Sequence, residues 1–305
     1  MNNALAIFPG QGSQSVGMGA ELYQEAPIAR EIFDLADRIL KFPLSKLCFS
    51  GPLEKLTETA IAQPAILTVS TICYQLALQS HSTTYSFVAG AGHSLGEYSA
   101  LVAAEAISFE DAVLLVHKRG AYMQEAVPPG EGKMVAVLGQ ETSDVEEALT
   151  RVKGGVAQIA NINAPGQIVV AGDATGIDEF MQTFSGAKMK PLQVSAPFHC
   201  NLMAPAADKL AKDLDALSIK PAKFPIYCNF TAAATSEPEK VRSALKQQVC
   251  GRVRWVECVT NALSETGASQ AIEFGTGKVL TGLLKRISPD TARINVDSIA
   301  ALSSV

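Results

Sequence analysis

Five consecutive residues, Gly92-His93-Ser94-Leu95-Gly96, constrain this chain more than any others. They match G-x-S-x-G, and their setting matters as much as their identity. Tyr85 to Ala91 is short, apolar and bounded by glycine, which predicts a buried strand. Leu95 to Ala106 predicts a helix. A strand that becomes a helix across so few residues must turn sharply, so small residues are needed on both sides of the serine. Such a turn lifts Ser94 Oγ above the sheet edge and aims a helix N-terminus at it. The bland alternative is a glycine-rich turn with an ordinary capping serine.

The same alternation extends along the 305 residues. Ala4–Phe8 predicts a buried strand ended by Pro9-Gly10. Glu21–Leu40 and Gln63–Gln79 have helical length and spacing, and Ser108-Phe109-Glu110-Asp111 opens a helix towards Gln124 with a capping box. Strands alternating with helices imply a parallel sheet covered on both faces. Pro128-Pro129-Gly130 interrupts this theme. Lys133–Leu138, Ser143–Val152, Gly155–Asn163, Gln167–Gly172, Gly176–Phe184 and Met189–Ser195 then follow in the order βαββαβ, that of a ferredoxin-like unit. Beyond it come a helix near Ala204–Leu217, a strand at Pro225–Asn229, a helix from Val241 and a late strand at Ala271–Phe274. The expected fold class is therefore α/β. A large α/β-hydrolase-like domain (1-127 and 198-305) has a parallel sheet and carries an inserted ferredoxin-like small subdomain (128-197).

A serine nucleophile needs a proton acceptor, usually histidine, and the chain has four. His81 reads as part of an exposed loop, Ser80-His81-Ser82-Thr83-Thr84. His93 should point away from Ser94 Oγ, and His117 sits mid-helix. His199 follows Ser195-Ala196-Pro197-Phe198, where the chain leaves the small subdomain, a cleft position that makes it the candidate base. An oxyanion hole needs two N–H donors. One is the backbone N–H of Leu95, and the glycine-rich run Phe8 to Gln14 suits the other. Arg119 lies in an apolar stripe with Leu115, Val116, Tyr122 and Met123, which suggests an anion partner. Lys118 has similar neighbours, so periodicity leaves the choice between them open.

Other classes fit poorly. Ser15 breaks G-x-G-x-x-G after Phe8, and Ile272 and Val279 break the P-loop pattern around Gly275-Thr276-Gly277-Lys278. A net charge of −5 and a pI near 5.5 argue against broad binding to nucleic acid or anionic membrane. With 48% apolar residues the chain is no disordered segment. No export signal opens it, no uninterrupted apolar run approaches the roughly 20 residues of a span, and its six cysteines show no metal-ligand spacing. The expectation is a cytoplasmic monomer with reduced, mostly buried thiols.

Taken together, the motifs resemble those of the malonyl-CoA:acyl carrier protein transacylases of fatty acid synthesis. The matching residues are Phe8-Pro9-Gly10-Gln11-Gly12-Ser13-Gln14, Gln63-Pro64-Ala65, Gly92 to Ala100, Arg119-Gly120, Asn163 to Gln167, Pro197-Phe198-His199 and Gly275 to Leu280. The resemblance implies Ser94 as nucleophile, His199 as base, the N–H groups of Gln11 and Leu95 as oxyanion hole, and Arg119 as clamp on the malonyl carboxylate. It implies that the carbonyl of Gln248 orients the histidine, although Gly251-Arg252-Val253 stands where Asn/Ser-Pro-Val is usual. Phe198 resembles the malonyl-selecting rather than methylmalonyl-using members. Malonyl-CoA and acyl carrier protein are the implied partners, and no cofactor or metal is called for. Lys188, Lys190, Arg252, Arg254, Lys285 and Arg286 are candidates for a basic dock for the acidic carrier. The alternatives are an acyltransferase of a polyketide pathway, a serine esterase or thioesterase, and a non-catalytic carrier-binding scaffold. An esterase would need neither Arg119 nor the insertion, and the intact Ser94, His199 and Gln11 count against a scaffold.

Overall fold

A computed structural model describes residues 2–81 and 85–304. Its strands are β1 (Asn2–Phe8), β2 (Tyr85–Gly92), β3 (Gly132–Leu138), β4 (Ala157–Ala164), β5 (Gln167–Asp173), β6 (Lys188–Pro191), β7 (Ile226–Tyr227), β8 (Ala234–Thr235), β9 (Gln270–Phe274) and β10 (Ala292–Val296). They form a six-stranded sheet in the order β10-β9-β1-β2-β7-β8 and a four-stranded sheet in the order β4-β5-β3-β6. The large sheet is parallel except for its edge pair β7–β8. In the small sheet every pairing is antiparallel, and with helices Thr142–Thr150 and Ala174–Thr183 it has the ferredoxin-like order. The fold is the expected α/β one, a parallel sheet with a smaller ferredoxin-like unit.

Apolar sequence explains which strands are central. Ala4 to Phe8 of β1 are completely buried, because helices cover both faces of the large sheet. One of these helices, Thr59–His81, is long and apolar enough to cross a membrane, but 89% of that stretch is buried inside the fold. It is a core helix here. The small sheet obeys a period of two: Val135 and Val137 face its own helices, with Val145, Ile177 and Phe180, while Met134 joins the core of the large unit.

Several local readings change. The stretch Glu21–Leu40 is broken into Ala20–Glu25 and Pro27–Leu40, since Pro27 starts the second helix at the position where its missing N–H costs nothing. The backbone of His81 ends the long helix instead of lying in a loop, and Ser82–Thr84 lie outside the described residues. The expected strand Met189–Ser195 is Lys188–Pro191, and Pro225–Asn229 shortens to Ile226–Tyr227. The short edge strand β8 and strand β10 are too short or too evenly exposed to show alternation, and the amphipathic helices Trp255–Thr266 and Val279–Ile287 are further elements of the large unit that the sequence reading does not include.

The register of β1 against β2 sets the position of the serine turn. Phe8 lies opposite Gly92, so the loop after β1 and the turn after β2 leave the same edge side by side, and His93 N–H donates to Phe8 O at 3.0 Å. A parallel sheet opens its ligand crevice at the carboxyl ends of its strands. The small sheet is attached to that edge through backbone bonds, Ile162 N–H to Val253 O at 2.9 Å and Val253 N–H to Ala160 O at 2.8 Å.

The turn has no spare volume. A Cβ on Gly92 would stand 1.9 Å from the main chain of Gly96, and one on Gly96 would stand 2.0 Å from Phe8 O. Gly282, on the exposed side of helix Val279–Ile287, has no neighbour within 4 Å of such an atom. Gly92→Ala is therefore expected to lose about 3 kcal/mol or more in urea unfolding. Gly282→Ala should gain about 0.5–1 kcal/mol from helix propensity alone.

Candidate active site

Ser94 occupies the turn with φ of +50°, a left-handed conformation that costs a non-glycine residue about 1–3 kcal/mol and must be imposed by its surroundings. Asn229 imposes it. The Asn229 side chain donates from Nδ2 to Gly92 O at 2.8 Å and accepts from Ser94 N–H at 2.7 Å, bracketing the turn from both ends. The residue is fully buried just beyond β7, the strand next to β2.

Against this fixed serine the structure brings His199, 105 residues away in sequence. Ser94 Oγ lies 2.7 Å from His199 Nε2, and His199 Nδ1 lies 2.9 Å from the carbonyl of Gln248. A carbonyl only accepts, so Nδ1 carries the proton and Nε2 is left to accept from the serine hydroxyl. His199 also has a positive φ, +61°, two residues after Pro197. Burial, followed by the nearby Arg119 charge, pushes its pKa down to about 3. The imidazole is thereby held neutral, the form that can take a proton.

Arg119 is 1% exposed, and its Nη2 donates to Ser94 Oγ at 3.1 Å. Lys118, one residue and about 100° around the helix, points elsewhere and pairs with Asp213 at 2.6 Å on the surface. Tertiary structure thus separates the two cations that periodicity could not.

His93 and His117 are occupied elsewhere. His93 Nε2 is hydrogen-bonded to Asn163 Oδ1 at 2.8 Å with its ring edge-on to Trp255, and His117 Nδ1 donates to Ala60 O at 2.7 Å. The Gln11 and Leu95 backbone N–H groups have no hydrogen-bond acceptor among the described residues. Both residues line a cavity of about 350 Å³ with Ser94, His199 and Arg119, and Met123, Met134, Val169 and Phe198 form an apolar wall. The cavity is the size of a small ligand site.

Three features gave no usable sequence signal. Asn229 belongs to no motif. Glu97, one helical turn after Ser94, is fully buried and accepts from Asn229 N–H at 2.8 Å and from Gln248 Nε2 at 2.9 Å, and burial pushes its carboxyl up to about 7. The hydroxyls of Thr59 and Ser195 lie 2.7 Å apart across the cleft, and Gln11 Nε2 donates to Thr59 Oγ1 at 3.2 Å. This contact ties the loop after β1 to the segment leading out of the small sheet. Gly251 has its own reason: a Cβ there would stand 2.2 Å from the Phe230 ring and 2.7 Å from Gln247 O.

Comparison with known proteins agrees with this geometry. Residues 6–298 match the family model described as acyl transferase domain. The malonyl CoA-acyl carrier protein transacylase of Bacillus subtilis is 45% identical over 293 residues, covering 94% of this chain and 91% of that protein. The chain belongs to this acyl transferase family. The solved transacylase of Coxiella burnetii superposes with a TM-score of 0.95 at 39% identity, covering 100% of this chain and 97% of the other. A malonyl-transacylase solved in complex with a type II PKS acyl-carrier protein gives 0.94 at 39% identity, covering 100% and 98%.

Of the six candidate docking cations, three are engaged within the chain. Arg252 pairs with Glu146 at 2.9 Å, Arg254 with Glu257, and Arg286 donates to Gln167 at 2.8 Å and to Pro165 O. Lys188 and Lys190 are exposed on edge strand β6, and Lys285 is exposed on helix Val279–Ile287, with no ion pair among the described residues.

Because its depressed pKa favours the base form, His199 should stay neutral as pH falls through 6.5, the ordinary histidine value. A pH profile of kcat/KM for acyl transfer is expected to show its acid limb displaced well below 6.5. A limb at 6.5 would mean that an exposed, unperturbed histidine is the base.

Proposed function

We propose that the enzyme transfers the malonyl group from malonyl-CoA to the phosphopantetheine thiol of acyl carrier protein, through a malonyl ester on Ser94, to supply fatty acid elongation. The observation that carries the reading is a buried guanidinium 3.1 Å from a nucleophilic serine. A neutral acyl group gives such a cation nothing to bind, whereas the free carboxylate of malonate matches its fork. The names of the relatives support the same substrate and carrier.

In the first half-reaction Ser94 Oγ attacks the thioester carbonyl while His199 Nε2 takes the hydroxyl proton. The N–H groups of Leu95 and Gln11 receive the oxyanion, and Arg119 exchanges its bond to Ser94 Oγ for the malonyl carboxylate. The tetrahedral intermediate collapses, the C–S bond breaks, and the proton on His199 leaves with coenzyme A as its thiol. In the second half-reaction the carrier's thiol gives its proton to His199 and attacks the ester, and Ser94 Oγ recovers a proton as it leaves. The Gln248 carbonyl keeps the imidazole oriented throughout, so a Ser–His dyad suffices. The apolar cavity wall, to which the small sheet contributes Met134 and Val169, limits water access to the ester.

Phe198, a bulky residue in the cavity wall, supports malonyl over the bulkier methylmalonyl group. A polyketide carrier is the second reading, favoured by the likeness to the transacylase solved with a type II PKS carrier. We assign the enzyme to the cytoplasm and take it as a monomer. It needs no cofactor beyond its thioester substrate.

Intact-mass measurement after mixing with malonyl-CoA should show one malonyl increment on the wild type and none on Ser94→Ala, with much slower labelling of the wild type by acetyl-CoA. Holo acyl carrier protein should discharge the adduct. Free malonate in place of an adduct would identify a hydrolase. Lys285→Glu is expected to raise the carrier's apparent KM about three- to tenfold without changing that of malonyl-CoA; an unchanged carrier KM would move the dock away from Lys285.

A further inference from the structure

Arg119 is a fully buried cation whose acceptors are all uncharged. Its Nη1 donates to Gln63 Oε1 at 2.8 Å, and Nη2 donates to Gln248 Oε1 at 2.9 Å and to Ser94 Oγ at 3.1 Å. Tyr98 adds only a ring whose centroid lies 5.4 Å from Cζ. The Nε–H, also buried, has no partner among the described residues. Charged side chains are almost never fully buried without an opposite charge, because the desolvation cost is several kcal/mol. A carboxylate in place of either glutamine would answer that cost within the chain.

Such a carboxylate is already close by. Glu97 is fully buried, and the Gln248 amide lies between it and Arg119, accepting from the guanidinium through Oε1 and donating to Glu97 Oε2 through Nε2 at 2.9 Å. The arrangement links the two groups while keeping them apart. On the other side, Gln63 projects from helix Thr59–His81, and its remaining contact is a weak one to Met123 Sδ at 3.8 Å.

We propose that Gln63 and Gln248 are specificity-determining residues: two neutral acceptors that fix the Arg119 guanidinium beside Ser94 while leaving its charge for the free carboxylate of the incoming acyl group. This inference rests on the malonyl reading and deepens it. An acidic side chain at either position would form an internal ion pair with Arg119 and compete with that carboxylate, a competition that a neutral acyl group does not enter.

The test compares rates of acyl-Ser94 formation from malonyl-CoA and from acetyl-CoA, which lacks the carboxylate, in wild type, Gln63→Glu and Gln63→Met. Gln63→Glu keeps the shape and adds the charge, whereas Gln63→Met removes the acceptor without adding charge. The malonyl-to-acetyl ratio of kcat/KM is expected to fall about 30-fold or more in Gln63→Glu, chiefly through a raised KM for malonyl-CoA. In Gln63→Met it should fall only a few-fold, because Gln248 still holds the guanidinium. A wild-type ratio in Gln63→Glu, or the same drop in both variants, would overturn the proposal. Should Gln63→Glu fail to fold, Gln248→Glu brings the charge from the other side. Any loss it causes through the His199 contact is common to both thioesters and cancels in the ratio. A wild type that forms no malonyl ester would instead overturn the malonyl reading itself.

Discussion

The closeness of two backbone segments governs this protein. Phe8 and Gly92 end adjacent parallel strands; the turn beyond Gly92 folds back so tightly that a side chain on Gly92 would strike Gly96, and it passes so near Phe8 that Gly96 can carry none. That contact makes the serine turn and the Gln11 loop neighbours, so two backbone donors and the Ser94 hydroxyl converge without any long side chain having to reach across. The strain at Ser94 follows from the same crowding and is held by Asn229, whose amide closes the turn at both ends.

Around this frame the site is built from electrostatic opposites. A group that takes a proton must be neutral, and burial beside a cation keeps His199 so. A cation that is to hold an anion must stay unneutralised, and the neutral partners of Arg119 leave its charge so. One residue serves both needs: Gln248 steadies the imidazole with its main-chain carbonyl and the guanidinium with its side chain. The second sheet completes the enclosure. It supplies Met134 and Val169 to the cavity wall and is fastened to the large unit by backbone bonds at Val253 and by the Thr59–Ser195 and His93–Asn163 contacts.

Much of the architecture was legible because the strong signals are local. Short apolar strands, the βαββαβ order and a proline-glycine break each depend on a few neighbouring residues. The misreadings have separate local causes. Pro27 splits what periodicity alone shows as one helix, the edge strand β8 is too short to show alternation, and strand β10 is only half-buried, so its pattern is weak. The resemblance in the motifs pointed to Arg119 and Gln248, but it assigned no role to Gln63 and none to Glu97.

The sequence by itself determined the strand–turn–helix at Gly92 to Gly96, the serine at its apex and a histidine at the exit from the inserted unit. These follow from backbone preferences and residue spacing, which act over a few residues. Periodicity left Arg119 and Lys118 open and the resemblance favoured Arg119; only the tertiary structure showed it in the site and decided which groups surround it. Those partners, Gln63 and Gln248, lie 56 and 129 residues from the arginine, on helices that packing brings to opposite sides of it. What a buried charge does depends on the dipoles and charges that reach it through space, and no local pattern along the chain encodes that.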